Sequence, residues 1–290
     1  MNAALSWLIG GRSQKASHAL LAPAALWLTL FLIVPVAYLL ATSLAQRGPY
    51  GTVVWHFTWA NFAKAVQPKY LPILLRTLAY ASLTTLACLA LGFPVAYYLS
   101  FYAGKRRELL MSALMLPFWT SCLVSLYSWM IILGREGLLN ALLLRSGVIR
   151  SPLQLLNTPF SVLLGMVYFY IPFMVLPLYG SLEKIPRQYL EASQDLGAGA
   201  ARTFLKITLP LSLPGVFAGC IVTFIPCMGD FLTADFLGGP KTYLIGNLIQ
   251  NQFLMAQDWP FGAALTSLLL LTLISGLYLY QRVENAQEQK

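Results

Sequence analysis

Two carboxylates stand where a carboxylate is expensive. The chain has ten acidic residues, and most of them lie in polar loops and tails. Asp230 and Asp235 instead fall in or at the end of a long apolar stretch, in Pro226-Cys-Met-Gly-Asp230-Phe-Leu-Thr-Ala-Asp235. A charged group at the centre of a bilayer costs roughly 2.5 kcal/mol or more and is a functional candidate by default. Two carboxylates suit a cationic solute, and the rings of Trp119, Tyr168 and Tyr170 could add cation–π contacts. A structural reading competes: Asp230 bonds a neighbouring helix, Asp235 is solvated at the interface, and the rings pack or mark the membrane boundary. Five residues apart, the two carboxylates lie roughly 140° apart on an ideal helix and need not face one cavity.

A second group of residues carries contact chemistry. Between two apolar stretches runs a polar segment, 183–210, in which Ile185, Tyr189, Ala192, Leu196, Ala200, Phe204 and Ile207 recur every three or four residues. That is the period of one helix face. Gly197 and Gly199 should divide the run into two short helices joined by a bend. Such a knob beneath the membrane would present a compact surface to a soluble partner. An amphipathic helix resting on lipid head groups would explain the stripe but not the glycines.

Catalytic and metal chemistry find little support. No phosphate-binding Gly-x-x-x-x-Gly-Lys-Ser/Thr occurs, since Leu99 and Arg106 stand where the first glycine and the hydroxyl residue belong around Gly104-Lys105. Hydrolysis of ATP is therefore not expected of this chain, and no cofactor is called for. His18 and His56 are too few for a histidine-rich metal site. Cys88, Cys122, Cys220 and Cys227 all sit in apolar stretches and read as free thiols.

The elements that must position these residues follow from composition. Of 290 residues 58% are hydrophobic and only 10% charged, with a mean hydropathy of +0.68. So few charges cannot coat a water-facing surface of this size, which excludes an ordinary soluble domain and a disordered chain alike. The net charge of +9 points to basic loops on the cytoplasmic side of a membrane rather than to nucleic acid. Six stretches without Asp, Glu, Lys or Arg are long enough for helices of roughly 20 residues. The expectation is an all-α membrane protein with spans at about 19–45, 77–102, 109–133, 160–182, 211–235 and 259–281. Residues 1–18 and 283–290 become tails, and 48–63 and 242–257 interfacial or loop segments. The first span is too long for a signal peptide and is expected to be retained. The run Lys105-Arg106-Arg107 in the shortest loop favours both termini on the cytoplasmic side. Prolines at 35, 94, 117, 172, 177 and 226 should kink the helices around a pathway.

A resemblance sharpens this. Glu191-Ala192-Ser193-x3-Gly197-x9-Ile207-x-Leu209-Pro210 resembles the EAA signature of ABC-importer permeases, Glu-Ala-Ala-x3-Gly-x9-Ile-x-Leu-Pro, and departs from it only at Ser193. The wider chain, about 60–282, resembles the spermidine/putrescine branch of that family. Pro94-Val-Ala-Tyr-Tyr98, Leu116-Pro-Phe-Trp-Thr120, Leu133-Gly-Arg-Glu-Gly-Leu-Leu-Asn140, Tyr170-Ile-Pro-Phe-Met-Val-Leu-Pro177, Phe236-Leu-Gly-Gly-Pro-Lys241 and Ile245-Gly-Asn-Leu-Ile-Gln-Asn-Gln-Phe253 carry the likeness.

The resemblance implies a type I importer permease fold with a cytoplasmic coupling helix in the bacterial inner membrane. It also implies two copies of a cytoplasmic ATP-binding subunit, a second homologous permease, and a periplasmic or lipid-anchored solute-binding protein. In its terms Glu191 is the acidic contact to the ATPase, with Ala192, Ser193 and Asp195 beside it. Gly197 is then the bend, and Ile207, Leu209 and Pro210 lead the chain back into the membrane. The solute stays open: polyamines, other amines and even sulfate- or molybdate-like anions fit the family. A stand-alone ion-coupled transporter is the alternative from another class, but it would want inverted repeats and more intramembrane charge.

Overall fold

The computed structural model describes residues 23–288. The expected tail 1–18, residues 19–22 of the expected first span, and residues 289–290 lie outside the described residues. Among the described residues six segments are long and apolar enough to cross a membrane: Pro23–Ser43, Leu71–Phe101, Cys122–Arg145, Pro159–Leu182, Ala200–Gly229 and Trp259–Tyr278.

The first span contains a π-helical turn at Thr29–Ile33 and continues as α1, Val34–Ser43. Pro35 explains the turn. Proline has no N–H to donate and its ring crowds the carbonyl four residues back, so the ladder lengthens and the Val34 N–H reaches the Thr29 carbonyl. A short antiparallel hairpin follows, β1 (Gln46–Arg47) with β2 (Val53–Val54), in the register Gln46↔Val54 and Arg47↔Val53. Next come α2 (Ala60–Ala65), the long α3 (Leu71–Phe101), and then α4 (Arg107–Leu114), α5 (Leu116–Trp119), α6 (Cys122–Leu133) and α7 (Leu138–Arg145). α8 (Pro159–Leu182) is followed by α9 (Arg187–Asp195), α10 (Ala200–Thr203) and α11 (Leu209–Gly229). Short α12 (Leu232–Leu237), α13 (Ile245–Leu254) and α14 (Trp259–Glu288) complete the chain.

The chain divides into two compact units. Of the described residues, one unit comprises 23–66 with Asn251–Ile274. Within it the Asn61 amide donates to the Ser43 and Ala45 carbonyls at 2.9 and 2.8 Å, closing the end of α1. Lys64 pairs with Asp258 at 2.9 Å and lies 3.9 Å from the Phe261 ring centroid. Arg47 donates to the Ala256 carbonyl at 2.6 Å. Together these contacts pin the loop after the first span to the start of α14.

The other unit comprises Gln67–Gln250 and the chain from Ser275 on. Its centre is α3, α8 and α11, whose buried core includes Cys88, Ala96, Leu99, Met174, Val175, Leu178 and Leu182. Lipid offers no hydrophobic drive for helix pairing, so close approach has to come from small residues. A side chain at Gly215 would strike Ser181 and the Pro177 carbonyl of α8, and one at Gly219 would come within 2.7 Å of the Met174 sulfur.

Three expected spans differ from the structure. The expected helix 109–133 is divided between α4, α5 and α6. Thr120 is extended there (φ −92°, ψ 148°), and its hydroxyl lies 3.1 Å from the Pro117 carbonyl and 3.0 Å from Ser125 Oγ, occupying groups that the break frees. The third span is then α6 and α7 in tandem. The expected span 211–235 ends at Gly229 and begins as far back as Ala200. The second starts at Leu71 rather than 77, so Arg76 lies inside the helix, where it donates to the Tyr243 carbonyl at 3.4 Å.

The helix packing generates a first prediction. Gly215→Leu and Gly219→Leu should destabilise the purified protein by about 1–3 kcal/mol, seen as a lower thermal midpoint in detergent. Gly276→Leu, where nothing lies within 4 Å, should leave the midpoint unchanged.

Candidate functional site

The polar segment 183–210 forms a knob. α9 ends at Asp195, and Gly197 takes the left-handed conformation with φ +77°. The Gly197 N–H donates to the Gln194 carbonyl at 2.8 Å and the Ala198 N–H to the Ser193 carbonyl at 3.0 Å. This is a Schellman cap, and glycine suits it because a Cβ is strained at that φ. Gly199 then starts the next helix, accepting from the Arg202 and Thr203 amides at 2.9 and 3.0 Å.

The second arm is not short, as the glycines had suggested. It continues from α10 through a π-helical turn at Phe204–Thr208 into α11. Leu209 and Pro210 therefore lie within a running helix. Pro210 accounts for the π turn as Pro35 does for the first, here with the Leu209 N–H bonded to the Phe204 carbonyl.

Ser193, the departure from the EAA pattern, has a specific place. Its hydroxyl lies 2.9 Å from that of Thr203, both are buried, and the pair bridges the two arms across the bend. The apolar stripe is only partly packed. Ile185 is buried, Phe204 and Ile207 are half-buried, and Tyr189, Ala192 and Leu196 are exposed beside Glu191 and Asp195.

The knob is fastened to the end of α3. Arg187 donates to the Phe101 carbonyl at 2.8 Å, and the Phe204 ring lies 5.4 Å from Phe93 and 6.2 Å from Tyr97. Arg107 pairs with Glu183 and lies 4.7 Å from the Tyr179 ring centroid. That ion pair is half-exposed and contributes under about 1 kcal/mol.

At the far end of α11, Asp230 faces a cavity of about 620 Å³, within the roughly 300–1,000 Å³ typical of small-molecule sites. It lies between two helix interruptions, Thr120–Ser121 and Asp230–Phe231. Phe118, Phe169, Tyr170, Phe173 and Phe231 line it, with Thr120, Cys122 and Thr233. Asp230 Oδ1 accepts from the Thr233 N–H at 3.0 Å, and Oδ2 from the Thr233 hydroxyl at 2.7 Å. The Tyr170 hydroxyl lies 3.3 Å from Oδ2 and 3.4 Å from the Pro226 carbonyl. No Lys or Arg is in the lining. Among the described residues no group of three His, Cys, Asp or Glu could hold a metal ion.

Of the expected path residues the structure brings together Asp230 and Tyr170. Asp235 lies elsewhere and has a structural partner. The Asn247 amide donates to it and to the Phe231 carbonyl at 2.9 Å, while Asn247 Oδ1 accepts from the Leu244 N–H at 3.0 Å. Burial raises the pKa of the nearby Tyr243 phenol, and the Asp235 carboxylate adds to the rise. Trp119 is exposed, and Tyr168 stacks edge-on with Trp129 at 5.5 Å; neither lines the cavity. The other phenylalanines escaped the sequence reading because only the two helix breaks bring them to one place. Pro117 and Gly229 were the available signals.

A set of membrane-length helices with a bent polar knob leading into the fifth defines an integral-membrane transport subunit. Residues 88–288 match the family described as binding-protein-dependent transport system inner membrane component, and the chain belongs to that family. It is a multi-pass inner-membrane protein. It is 44% identical over 253 residues to the spermidine/putrescine transport system permease protein PotB of Escherichia coli (strain K12), covering 87% of this chain and 91% of that one. With the PotB of Haemophilus influenzae it shares 35% identity over 283 residues, 98% of each chain. The fold is similar to that of a chain from a bacterial ABC transporter involved in import of the acidic polysaccharide alginate. The TM-score is 0.72 at 18% identity, covering 96% of this chain and 99% of the other.

The Asn247 junction yields a second prediction. Asn247→Ala leaves the Asp235 carboxylate and the buried Leu244 N–H without these partners, and should cost about 1–3 kcal/mol in thermal unfolding. Asp235→Asn keeps an acceptor for Asn247 and should fall within about 0.5 kcal/mol of the wild type.

Proposed function

We propose that this chain is one permease half of an ATP-driven importer whose solute is a polyamine such as spermidine or putrescine. It carries no catalytic residue. Two copies of a cytoplasmic ATPase bind and hydrolyse ATP, a second homologous permease supplies the other half of the pathway, and a periplasmic or lipid-anchored solute-binding protein delivers the solute. Both termini are cytoplasmic, on the same side as the exposed Lys105 and Arg106.

The observation that carries the coupling role is the single helical run from Ala200 to Gly229. At one end is the capped bend at Gly197, and one residue past the other is Asp230. The exposed Tyr189, Glu191 and Leu196 meet the ATPase, with Glu191 as the acidic contact and Ala192 and Asp195 at its edge. Closure of the ATPase pair displaces the knob and rocks the helices between two arrangements, which is what alternating access requires. The 44% identity to PotB supports the solute class, and the cavity at Asp230 and Tyr170 offers an amine a carboxylate and aromatic rings.

Glu191→Lys and Gly197→Asp should leave the amount of protein in the membrane unchanged and cut uptake of labelled spermidine or putrescine by tenfold or more. Wild-type uptake in both variants would reject the coupling role. Photo-cross-linking from positions 189 and 196 should capture an ATP-hydrolysing subunit, and repeated failure to do so would have the same force.

A further inference from the structure

The carboxylate of Asp230 has no cationic side chain beside it in the cavity. Its surrounding donors, the Thr233 amide and hydroxyl, the Leu232 amide and the Tyr170 hydroxyl, are all neutral. They orient the carboxylate without neutralising it. No cationic side chain and no other acidic residue lines the cavity. From this carboxylate the wall continues as a chain of rings: the Tyr170 ring lies 6.0 Å from Phe173, and Phe173 lies 4.8 Å from Phe118. A short hydrocarbon chain can lie along such a surface while its charged end stays at the carboxylate.

The nearest sequence candidate for a second negative charge, Asp235, is committed to Asn247 and is absent from the lining. The cavity is also unfinished. Phe118, Thr120 and Cys122 line it and yet remain exposed in the single chain. A charged solute cannot leave that side to hydrocarbon, so protein from outside the chain must close it.

We infer that the cavity is a one-ended amine subsite. It takes one protonated amino group at Asp230 and lays the adjoining methylenes along Tyr170, Phe173 and Phe118, while a carboxylate of the second permease holds the other ammonium of a diamine. This rests on the reading of the chain as a polyamine permease. Selectivity for length then arises between two chains, since neither holds both charges.

The test uses the transporter complex isolated from the membrane, without the solute-binding protein, and compares butylamine with putrescine, which have the same carbon chain and one or two ammonium groups. Binding of labelled putrescine and its displacement by butylamine give both affinities. Putrescine should bind the wild-type complex more tightly than butylamine. Asp230→Asn should weaken putrescine roughly tenfold, for loss of one charge-assisted hydrogen bond, and butylamine less, since a monoamine can use the remaining carboxylate. The advantage of putrescine over butylamine should therefore shrink in Asp230→Asn and survive in Asp235→Asn.

Three results would overturn the inference: equal wild-type affinities, no effect of Asp230→Asn, or loss of the putrescine advantage in Asp235→Asn. The first would remove the second charge, the second would remove Asp230, and the third would return the second charge to this chain. Failure of both amines to bind a wild-type complex that imports another solute would instead reject the polyamine reading itself.

Discussion

A hydrocarbon layer supplies no water to a backbone group freed from its helix, so every interruption has to be closed by protein. Much of this structure follows from that constraint. At the Thr120 break a hydroxyl lies against the Pro117 carbonyl and the Ser125 hydroxyl. Between α6 and α7 the buried Asn140 side chain donates to the Gly134 and Leu153 carbonyls and accepts from the Leu153 N–H. After Gly229 the Asp230 carboxylate caps the next turn through Thr233. Two of these closures, at Thr120 and at Asp230, line one cavity. The cavity exists because two helices stop where continuous helices would have packed shut. The group that satisfies one of those stops is also the acidic residue in the cavity lining.

The knob obeys a different demand, that of holding an angle. The proposed role of passing force could not be filled by a knob joined to its spans by a loose loop. Here the Schellman cap fixes the turn and the Ser193–Thr203 hydrogen bond ties its arms. Phe204 carries the joint onto Phe93 and Tyr97 of α3. The exposed ion pair between Arg107 and Glu183 adds little energy beside these buried contacts. Its value lies in registering the loop after α3 against the end of α8.

Much of the architecture was legible in the sequence because hydropathy and charge report directly on what lipid permits. The fourth span, expected at 160–182, is Pro159–Leu182, and the bend falls at Gly197. The misses share one cause. Sequence periodicity reports whether a segment is apolar, not whether its backbone hydrogen bonds run unbroken. The stretch 109–133 is apolar throughout, so Pro117 looked like a kink, while the extended backbone at Thr120–Ser121 depends on partners it finds in three dimensions. Asp235 was expected on the path beside Asp230, or else solvated at the interface, because both follow the same apolar run. Asn247, twelve residues on, separates their roles, and no local pattern announces that pairing.

The continuity of the fifth span joins these two demands. From Ala200 to Gly229 the chain is helical for 30 residues, about 45 Å at 1.5 Å per residue. Its one π turn is the one that Pro210 imposes near the knob, and Pro214 and Pro226 each remove a further ladder hydrogen bond within α11. A helix resists bending over such a length where its neighbours pack closely, as α8 does at Gly215 and Gly219. In the proposed coupling role, displacement of the bend is passed along this helix towards its other end, where the helix stops and Asp230 begins. There the backbone is already broken and the carboxylate is held by two hydrogen bonds from Thr233 and one from Tyr170, contacts that can be exchanged without unpacking a core. The packed part of the helix and its terminus at Asp230 are thus arranged in the order that the proposed coupling of the knob to the cavity requires.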